Sequence, residues 1–100
     1  MDFYMKGYTY ILECEDSSYY VGSTQNLELR LYQHQLGEGS FYTKNRLPVK
    51  LVYYEEHERI DKAFEREKQI QNWSHEKKKA LIEGEFNNLK ISGKKKFKKE

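Results

Sequence analysis

Two side chains able to act on a phosphate or a proton stand beside apolar residues of a helix. Arg30 and His34 are four residues apart, and Leu27 and Leu31 form a second pair with the same spacing. Residues four apart lie on the same side of a helix, so the polar pair lies at the edge of the buried face. Sequences tend to depart from the apolar pattern of the core at functional sites, so this edge is a candidate functional site.

A third candidate, Glu67, interrupts the apolar stripe of a later helix. That stripe is predicted to face inward and consists of Ile60, Ala63, Phe64, Glu67, Ile70 and Trp73. The residues predicted to face outward are Glu65, Arg66, Lys68 and Gln69. A buried carboxylate is costly unless it is paired or bound to a metal. Two interpretations stay open: a buried ion pair, with Arg30 as the partner, or a functional group.

Tyr10 and Tyr20 complete the set if the strands that carry them pair in the right register. Residues 8–14 and 19–21 predict an antiparallel hairpin joined by a turn over residues 15–18. A loop of three or five residues places both tyrosines on one sheet face, whereas a two-residue loop separates them. We expect all five side chains to reach one face in the first case.

These five side chains suit the hydrolysis of a phosphodiester. The reaction needs a base for water and positive charge for the phosphate, and arginine binds phosphate through two parallel hydrogen bonds. A single carboxylate can hold a hydrated divalent ion. A tyrosine, with an ordinary pKa of about 10, is a poor base unless cations lower that pKa.

The remaining patterns predict an α+β domain with the element order β-β-α-β-α-α. The third strand is residues 50–56, and the helices span residues up to about 36, 62 to about 72, and 74 to about 83. The predicted N-caps are Thr24 or Asn26, then Asp61, then Ser74, and the predicted stops are Gly37 and Gly84. A three-stranded, mainly antiparallel sheet flanked by helices is the expected packing.

Residues 41–46 mix aromatic and cationic side chains before Pro48. Tyr42, Lys44 and Arg46 suit nucleic-acid contacts, by stacking on a base or binding a phosphate. Ordinary loop chemistry explains the stretch equally well. Paired-cysteine zinc spacing, a glycine-rich phosphate loop and a nucleophile elbow are absent from the sequence.

Composition predicts one domain over residues 1–84 and a basic tail over residues 85–100. The last eleven residues contain six lysines, whereas residues 1–89 carry three more acidic than basic groups. The tail is either a solvated terminus or a non-specific phosphate contact. A lone cysteine, Cys14, favours the cytoplasm, and no stretch is apolar enough to span a membrane.

The ordered motifs resemble the GIY-YIG nuclease domain family. The matching residues are Tyr8-Thr9-Tyr10, Tyr20-Val21-Gly22, Arg30, His34 and Glu67, with further matches at 42–43, 48–53, 65–70 and 73–74. The similarity is strongest to the small stand-alone YhbQ-like subfamily and the N-terminal nuclease domain of UvrC. It covers about residues 7–83.

The resemblance implies a role for each matched residue. Tyr10 would be the general base or would position water, and Tyr20 would hydrogen-bond within the site. Arg30 would stabilise phosphate charge, His34 would assist proton transfer, and Glu67 would hold one Mg²⁺ or Mn²⁺ ion.

Three further features bear on the resemblance. Gly22 would let the backbone approach the substrate closely. Residues 23–25 lack a lysine that some members have there. A site asparagine found in many members would be Asn87 or Asn88.

The sequence thus predicts a metal-dependent endonuclease acting on DNA, or on RNA, in the repair or processing of branched or single-stranded molecules. A nucleic-acid-binding module without turnover is the first alternative. A structural domain with a buried Arg30–Glu67 pair is the second.

Overall fold

The computed structural model describes residues 5–84 and contains three strands and four helices. The tail over 85–100, with Asn87 and Asn88, lies outside the described residues. In chain order the elements are β1 (Gly7–Glu13), β2 (Tyr19–Thr24), α1 (Leu27–Gln35), α2 (Phe41–Lys44), β3 (Lys50–His57), α3 (Ile60–Gln71) and α4 (His75–Glu83). The predicted α+β class and antiparallel sheet are confirmed.

The hairpin has the register that keeps the two tyrosines together. Tyr10 opposes Gly22 and Leu12 opposes Tyr20, so even-numbered side chains of β1 and β2 share one face. Cys14 N donates to Ser18 O at 2.9 Å, which leaves a three-residue loop. Its last residue, Ser17, has φ of 71°, the left-handed conformation that ends this type of loop.

The sheet order is β2-β1-β3, so β2 is an edge strand. On the other side of β1, the pairing with β3 shifts by one residue. Ile11 opposes Tyr53, yet Leu12 opposes Leu51, which leaves Val52 as a bulge. Because of this bulge, Tyr53 and Leu51 point to opposite faces of the sheet.

Helices cover both faces of the sheet. On one face, Ile70 of α3 and Leu81 of α4 pack with Ile11, Val21 and Tyr53. On the other face, Leu27 and Leu31 of α1 and Tyr42 of α2 pack against a cluster containing Tyr10, Leu12, Cys14 and Val49. With both faces filled, side chains from the two layers can meet around an edge of the sheet, such as that of β2.

Local sequence signals set most helix ends. Asn26 caps α1 through its side chain, which accepts from Leu29 N at 3.0 Å, and Gly37 follows the helix with φ of 83°. Ser74 caps α4 in the same way, and Gly84 ends it in the left-handed conformation. These predicted caps and stops are confirmed.

Two local predictions are wrong. Residues 41–44 form the short helix α2, because Ser40 caps its N-terminus by accepting from Thr43 N. Helix α3 begins at Ile60, and Arg59 occupies its N-cap without a side-chain cap. Asp61, the predicted cap, instead lies in the first turn and pairs with Arg59 at 2.8 Å.

The predicted inward stripe of α3 also needs correction. Phe64 is 51% exposed, while Ala63 and Ile70 are fully buried. Arg66, predicted to face water, instead donates to both oxygens of Glu55 on β3. No helix within residues 5–84 is long and apolar enough to cross a membrane.

Candidate active site

An open cleft of about 590 Å³ lies at the free edge of β2. Residues from both helical layers and from the sheet contribute to it. Its walls include four of the five predicted site residues. The lining residues are Tyr10, Tyr20, Gly22, Ser23, Gln25, Arg30, Ile60, Asp61, Phe64 and Glu67.

The Tyr10 side chain reaches this cleft because its ring lies directly over Gly22. Its partner across the hairpin is Gly22, and a Cβ atom built there would overlap the Tyr10 hydroxyl and lie 2.6 Å from its Cζ atom. The absence of a side chain therefore lets the Tyr10 ring lie flat toward the edge. Although Tyr10 is only 2% exposed, it lines the cleft.

His34 supports Tyr10 from behind. The fully buried ring places Nε2 2.9 Å from Tyr10 Oη and Nδ1 2.9 Å from Thr43 Oγ1. Thr43 Oγ1 is 3.4 Å from Ser40 O and can donate to it, which leaves the threonine oxygen free to accept from Nδ1–H. Nε2 then accepts from the Tyr10 hydroxyl. His34 does not line the cleft, and its ring contacts the cleft wall through Tyr10.

Both members of this pair are held neutral near pH 7. Burial raises the pKa of Tyr10 to about 12, although Arg30 opposes this shift. Burial, followed by the charge of Arg30, lowers the pKa of His34 to about 4. The Tyr10 hydroxyl therefore keeps its proton, and the His34 imidazole is uncharged.

Tyr20 lies beside this pair on the same face. Its ring centroid is 5.2 Å from that of His34 and 6.5 Å from that of Tyr10. The ring of Tyr42 stacks near Tyr20 at 6.1 Å. Of the two registers that the sequence left open, the structure has the one that places both tyrosines on one face.

Arg30 is fixed by two hydrogen bonds. Nη2 donates to Gly39 O at 2.7 Å, and Nη1 donates to Gln33 Oε1 at 3.1 Å. Gly39 is required here because a Cβ would overlap the His34 ring. A guanidinium has five N–H donors, so donors remain for a phosphate in the cleft.

Glu67 enters the cleft from the opposite side of the sheet. Its carboxylate accepts from Ser23 Oγ at 2.5 Å and from Gln71 Nε2 at 2.8 Å. The side chain is 12% exposed. The expectation that all five groups share one sheet face is therefore wrong, because Glu67 belongs to α3 and reaches the other residues around the edge of β2.

The predicted Arg30–Glu67 ion pair is also absent from the described contacts. Arg30 bonds to Gln33 and Gly39, while Glu67 bonds to Ser23 and Gln71. A half-buried ion pair does exist on α3, but it joins Arg66, the neighbour of Glu67, to Glu55, 2.9 Å apart.

A divalent ion fits Glu67 if water and substrate provide its other ligands. Among residues 5–84 there is no group of three or more histidine, cysteine, aspartate or glutamate residues placed to hold a metal. Mg²⁺ commonly binds one or two carboxylates together with waters and phosphate oxygens. The bonds from Ser23 and Gln71 fix the carboxylate and leave lone pairs free on its oxygens.

The residues predicted for nucleic-acid contact are placed differently. Gly22 lines the cleft, but Tyr42, Lys44 and Arg46 do not. The Arg46 guanidinium lies 3.8 Å from the Tyr42 ring centroid and also donates to Asp16. Tyr42 and Arg46 thus belong to the wall behind Tyr20, while Lys44 is exposed.

Sequence reasoning missed the residues that orient the site. Ser23 and Gln71 hold Glu67, Thr43 holds His34, and Gly39 holds Arg30. Gln71 had a readable signal, because it lies four residues after Glu67 on the same helix, and Thr43 stands in one of the stretches that resemble the family. The others depend on contacts between distant elements.

Comparison with known proteins shows the family of this chain. A family model described as the GIY-YIG catalytic domain matches residues 6–80. The chain belongs to the GIY-YIG family.

Among its relatives are UPF0213 proteins. The UPF0213 protein SH2523 of Staphylococcus haemolyticus is 44% identical over 78% of this chain and 95% of its own. HQ_3675A of Haloquadratum walsbyi, also a UPF0213 protein, is 43% identical over 76% of this chain and 85% of its own.

Two solved structures share the fold. The UPF0213 protein BH0048 of Bacillus halodurans has a TM-score of 0.52 and 35% identity, covering 79% of this chain and 84% of its own. The protein EF2693 of E. faecalis has a TM-score of 0.57 and 27% identity, covering 91% and 95%.

Proposed function

We propose that this protein is a metal-dependent endonuclease that hydrolyses phosphodiester bonds in DNA. One observation carries the proposal: Tyr10, Tyr20, Arg30 and Glu67 line a single cleft, although they come from different elements. A role in the repair or processing of branched or single-stranded DNA, in the cytoplasm, agrees with this chemistry. RNA is the alternative substrate.

Arg30 would bind the scissile phosphate. Its bonds to Gly39 and Gln33 fix the guanidinium before substrate arrives, so little conformational entropy is lost on binding. Positive charge held in place is worth most where negative charge develops in the transition state.

Tyr10 would orient the attacking water. Its hydroxyl proton is directed to His34 Nε2, which leaves the Oη lone pairs available to accept from a water in the cleft. His34 is a positioning residue in this scheme, because its ring lies behind Tyr10. Tyr20 would hold the same water or a phosphate oxygen through its hydroxyl.

Glu67 would hold Mg²⁺ or Mn²⁺. When bound, the ion supplies Lewis-acid stabilisation of the charge that develops on the phosphate. Ser23 and Gln71 keep the carboxylate directed into the cleft for this purpose.

A nucleic-acid-binding module with weak or no turnover is the second candidate. The pKa of Tyr10, raised to about 12, and the pKa of His34, lowered to about 4, favour it, because neither group is a strong base near neutral pH. Salt-dependent binding without metal-dependent cleavage would identify this function.

The test is a cleavage assay on nicked, flapped and single-stranded DNA, and on RNA, with Mg²⁺, Mn²⁺ or a chelator. We expect Arg30→Ala and Glu67→Ala to reduce cleavage by roughly 100-fold or more. Glu65→Ala is the matched control, since Glu65 is exposed on the same helix and pairs with Lys62. Equal cleavage by all variants would mean that another site or a contaminant cuts the substrate.

A further inference from the structure

A second depression adjoins the cleft along the free edge of β2. It measures about 240 Å³ and is lined by Tyr19, Tyr20, Val21, Tyr42, Gln71 and Lys78. Tyr20 lines both spaces, and Gln71 links them by donating to Glu67 in the cleft and to Val21 O on the edge strand. The two spaces therefore form one path along β2.

Phe64 lines the cleft at one end of this path. Its side chain is 51% exposed, while its neighbour Ala63 is fully buried. Lys68 Nζ lies 4.7 Å from the centroid of the Phe64 ring and 4.0 Å from Glu67 Oε2, and the Lys68 side chain is largely exposed. An exposed aromatic ring beside a cation is the combination that binds a nucleobase and its phosphate.

Lys78 stands at the other end. It is half-buried in the wall of the second depression, and within residues 5–84 no carboxylate lies within 4 Å of its ammonium group. The next residue, Lys79, is paired with Glu83 at 3.7 Å. Lys78 therefore offers a charge that the described fold does not use.

We propose that the free edge of β2 binds a single unpaired nucleic-acid strand, from a base stacked on Phe64, through the cleft, to a phosphate on Lys78. The inference rests on the proposed nucleic-acid substrate and specifies its class. Bases of a duplex are already stacked on one another, so an exposed ring gains little from duplex and much from an unpaired base.

The test measures binding without divalent ions, so that cleavage is not required. Fluorescence anisotropy compares a single-stranded oligonucleotide of about 12 residues, as DNA and as RNA, with the same DNA in duplex form. At about 50 mM salt we expect Phe64→Ala to weaken single-strand binding about tenfold and duplex binding hardly at all. Phe64→Tyr, which keeps an aromatic ring, should retain the affinity, and Phe64→Leu should not.

Lys78→Ala tests the other end of the path. We expect it to weaken single-strand binding about fivefold and to lower the slope of log affinity against log salt by about 0.7, the value for one phosphate contact. Lys79→Ala is its matched control and Phe41→Ala is the control for Phe64, since Phe41 is 79% exposed and lines neither space. Residues 85–100 are unchanged in every variant, so any contribution they make to binding cancels when the affinities are compared.

Two results would overturn the inference: tighter binding of duplex than of single strand, or affinities of Phe64→Ala and Lys78→Ala equal to those of their controls. Failure of the proposed function gives a different result. In that case the wild-type protein would show the predicted binding pattern but would not cleave any substrate with Mg²⁺ or Mn²⁺.

Discussion

At the scale of single residues, the site depends on Gly22 as much as on the groups that would act on substrate. A methyl group at this position would overlap the Tyr10 hydroxyl, so the ring would have to leave the edge of β2. The hydrogen bond to His34 would be lost with that movement. The glycine is thus a condition for the position of Tyr10.

We expect Gly22→Ala to lower the free energy of unfolding by about 2 kcal/mol, because the core around Tyr10 is overpacked. Urea denaturation measures this change. In a Tyr10→Ala background the same substitution should cost much less, since the clashing ring is gone. Equal costs in the two backgrounds would contradict the proposed overlap.

His34 makes a second prediction at this scale. Its pKa of about 4 in the folded protein lies below the value of 6.5 for an exposed histidine, so the unfolded chain binds more protons between these pH values. Its contribution is complete above pH 6.5 and is lost as the pH falls toward 4. We expect a loss of about 3 kcal/mol over this interval.

The measurement compares the wild-type protein with His34→Gln across this pH range, because the carboxylates titrate in both proteins. The glutamine variant should lack the part of the pH dependence due to His34. Parallel curves for the two proteins would show that His34 is not held neutral by burial.

At the scale of elements, the hairpin loop sets the register on which the two tyrosines depend. The loop ends with Ser17 at φ of 71°, a conformation that costs a residue other than glycine about 1–2 kcal/mol. The cost falls on an exposed position, so a substitution there changes the backbone preference and little else.

We expect Ser17→Gly to stabilise the protein by about 0.5 kcal/mol, the relieved strain less the added entropy of the unfolded chain. Ser17→Val should destabilise it by about 1–2 kcal/mol, because branching at Cβ disfavours positive φ. Thermal unfolding of both variants checks the order. A valine variant as stable as the glycine variant would refute this loop geometry.

The same elements show what sequence can predict. The cap at Ser74 and the stop at Gly84 depend on neighbours within a few residues and were predicted correctly, and Asn26 was one of the two caps predicted for α1. The bulge at Val52 and the short helix α2 were not predicted. The bulge depends on how β3 packs against both layers, and α2 on a serine cap within a stretch that looked like a loop.

The site was also predicted only in part, because residue spacing describes a single element and not how the elements pack together. The residue types and spacings identified Tyr10, Tyr20, Arg30 and Glu67, which do line one cleft. The spacings could not show that α1 and α3 cover opposite faces, because a helix stripe indicates which side is buried but not which sheet face buries it. The route of Glu67 around the edge of β2 was therefore missed.

At the scale of the whole molecule, two different carboxylates form the stabilising ion pair and the candidate metal site. Glu55 accepts hydrogen bonds from Arg66 and Tyr53 beneath α3. Burial alone would raise the pKa of the Glu55 carboxyl, but these bonds and the charge of Arg66 hold it below its usual value. Glu67, at the open edge, accepts hydrogen bonds from Ser23 and Gln71 and lies 4.0 Å from the exposed ammonium group of Lys68.

We therefore expect Glu55→Ala to lower the free energy of unfolding by about 2–3 kcal/mol, because it leaves Arg66 half-buried without its partner. Glu67→Ala should cost about 1 kcal/mol or less, since Ser23 and Gln71 can bond to water at the edge. Urea denaturation of both variants distinguishes the two carboxylates. A larger loss for Glu67→Ala would support a structural role and weaken the proposed metal site.

The central claim is that groups carried by both helical layers act as one site at the edge of β2. Single-turnover cleavage of DNA by the wild-type protein, Arg30→Ala, Glu67→Ala and the double variant tests it most directly. Residues that act as a unit are not additive, so the double variant should be no more than about threefold slower than the slower single variant. Losses that multiply, or cleavage by all four proteins at the same rate, would contradict the claim.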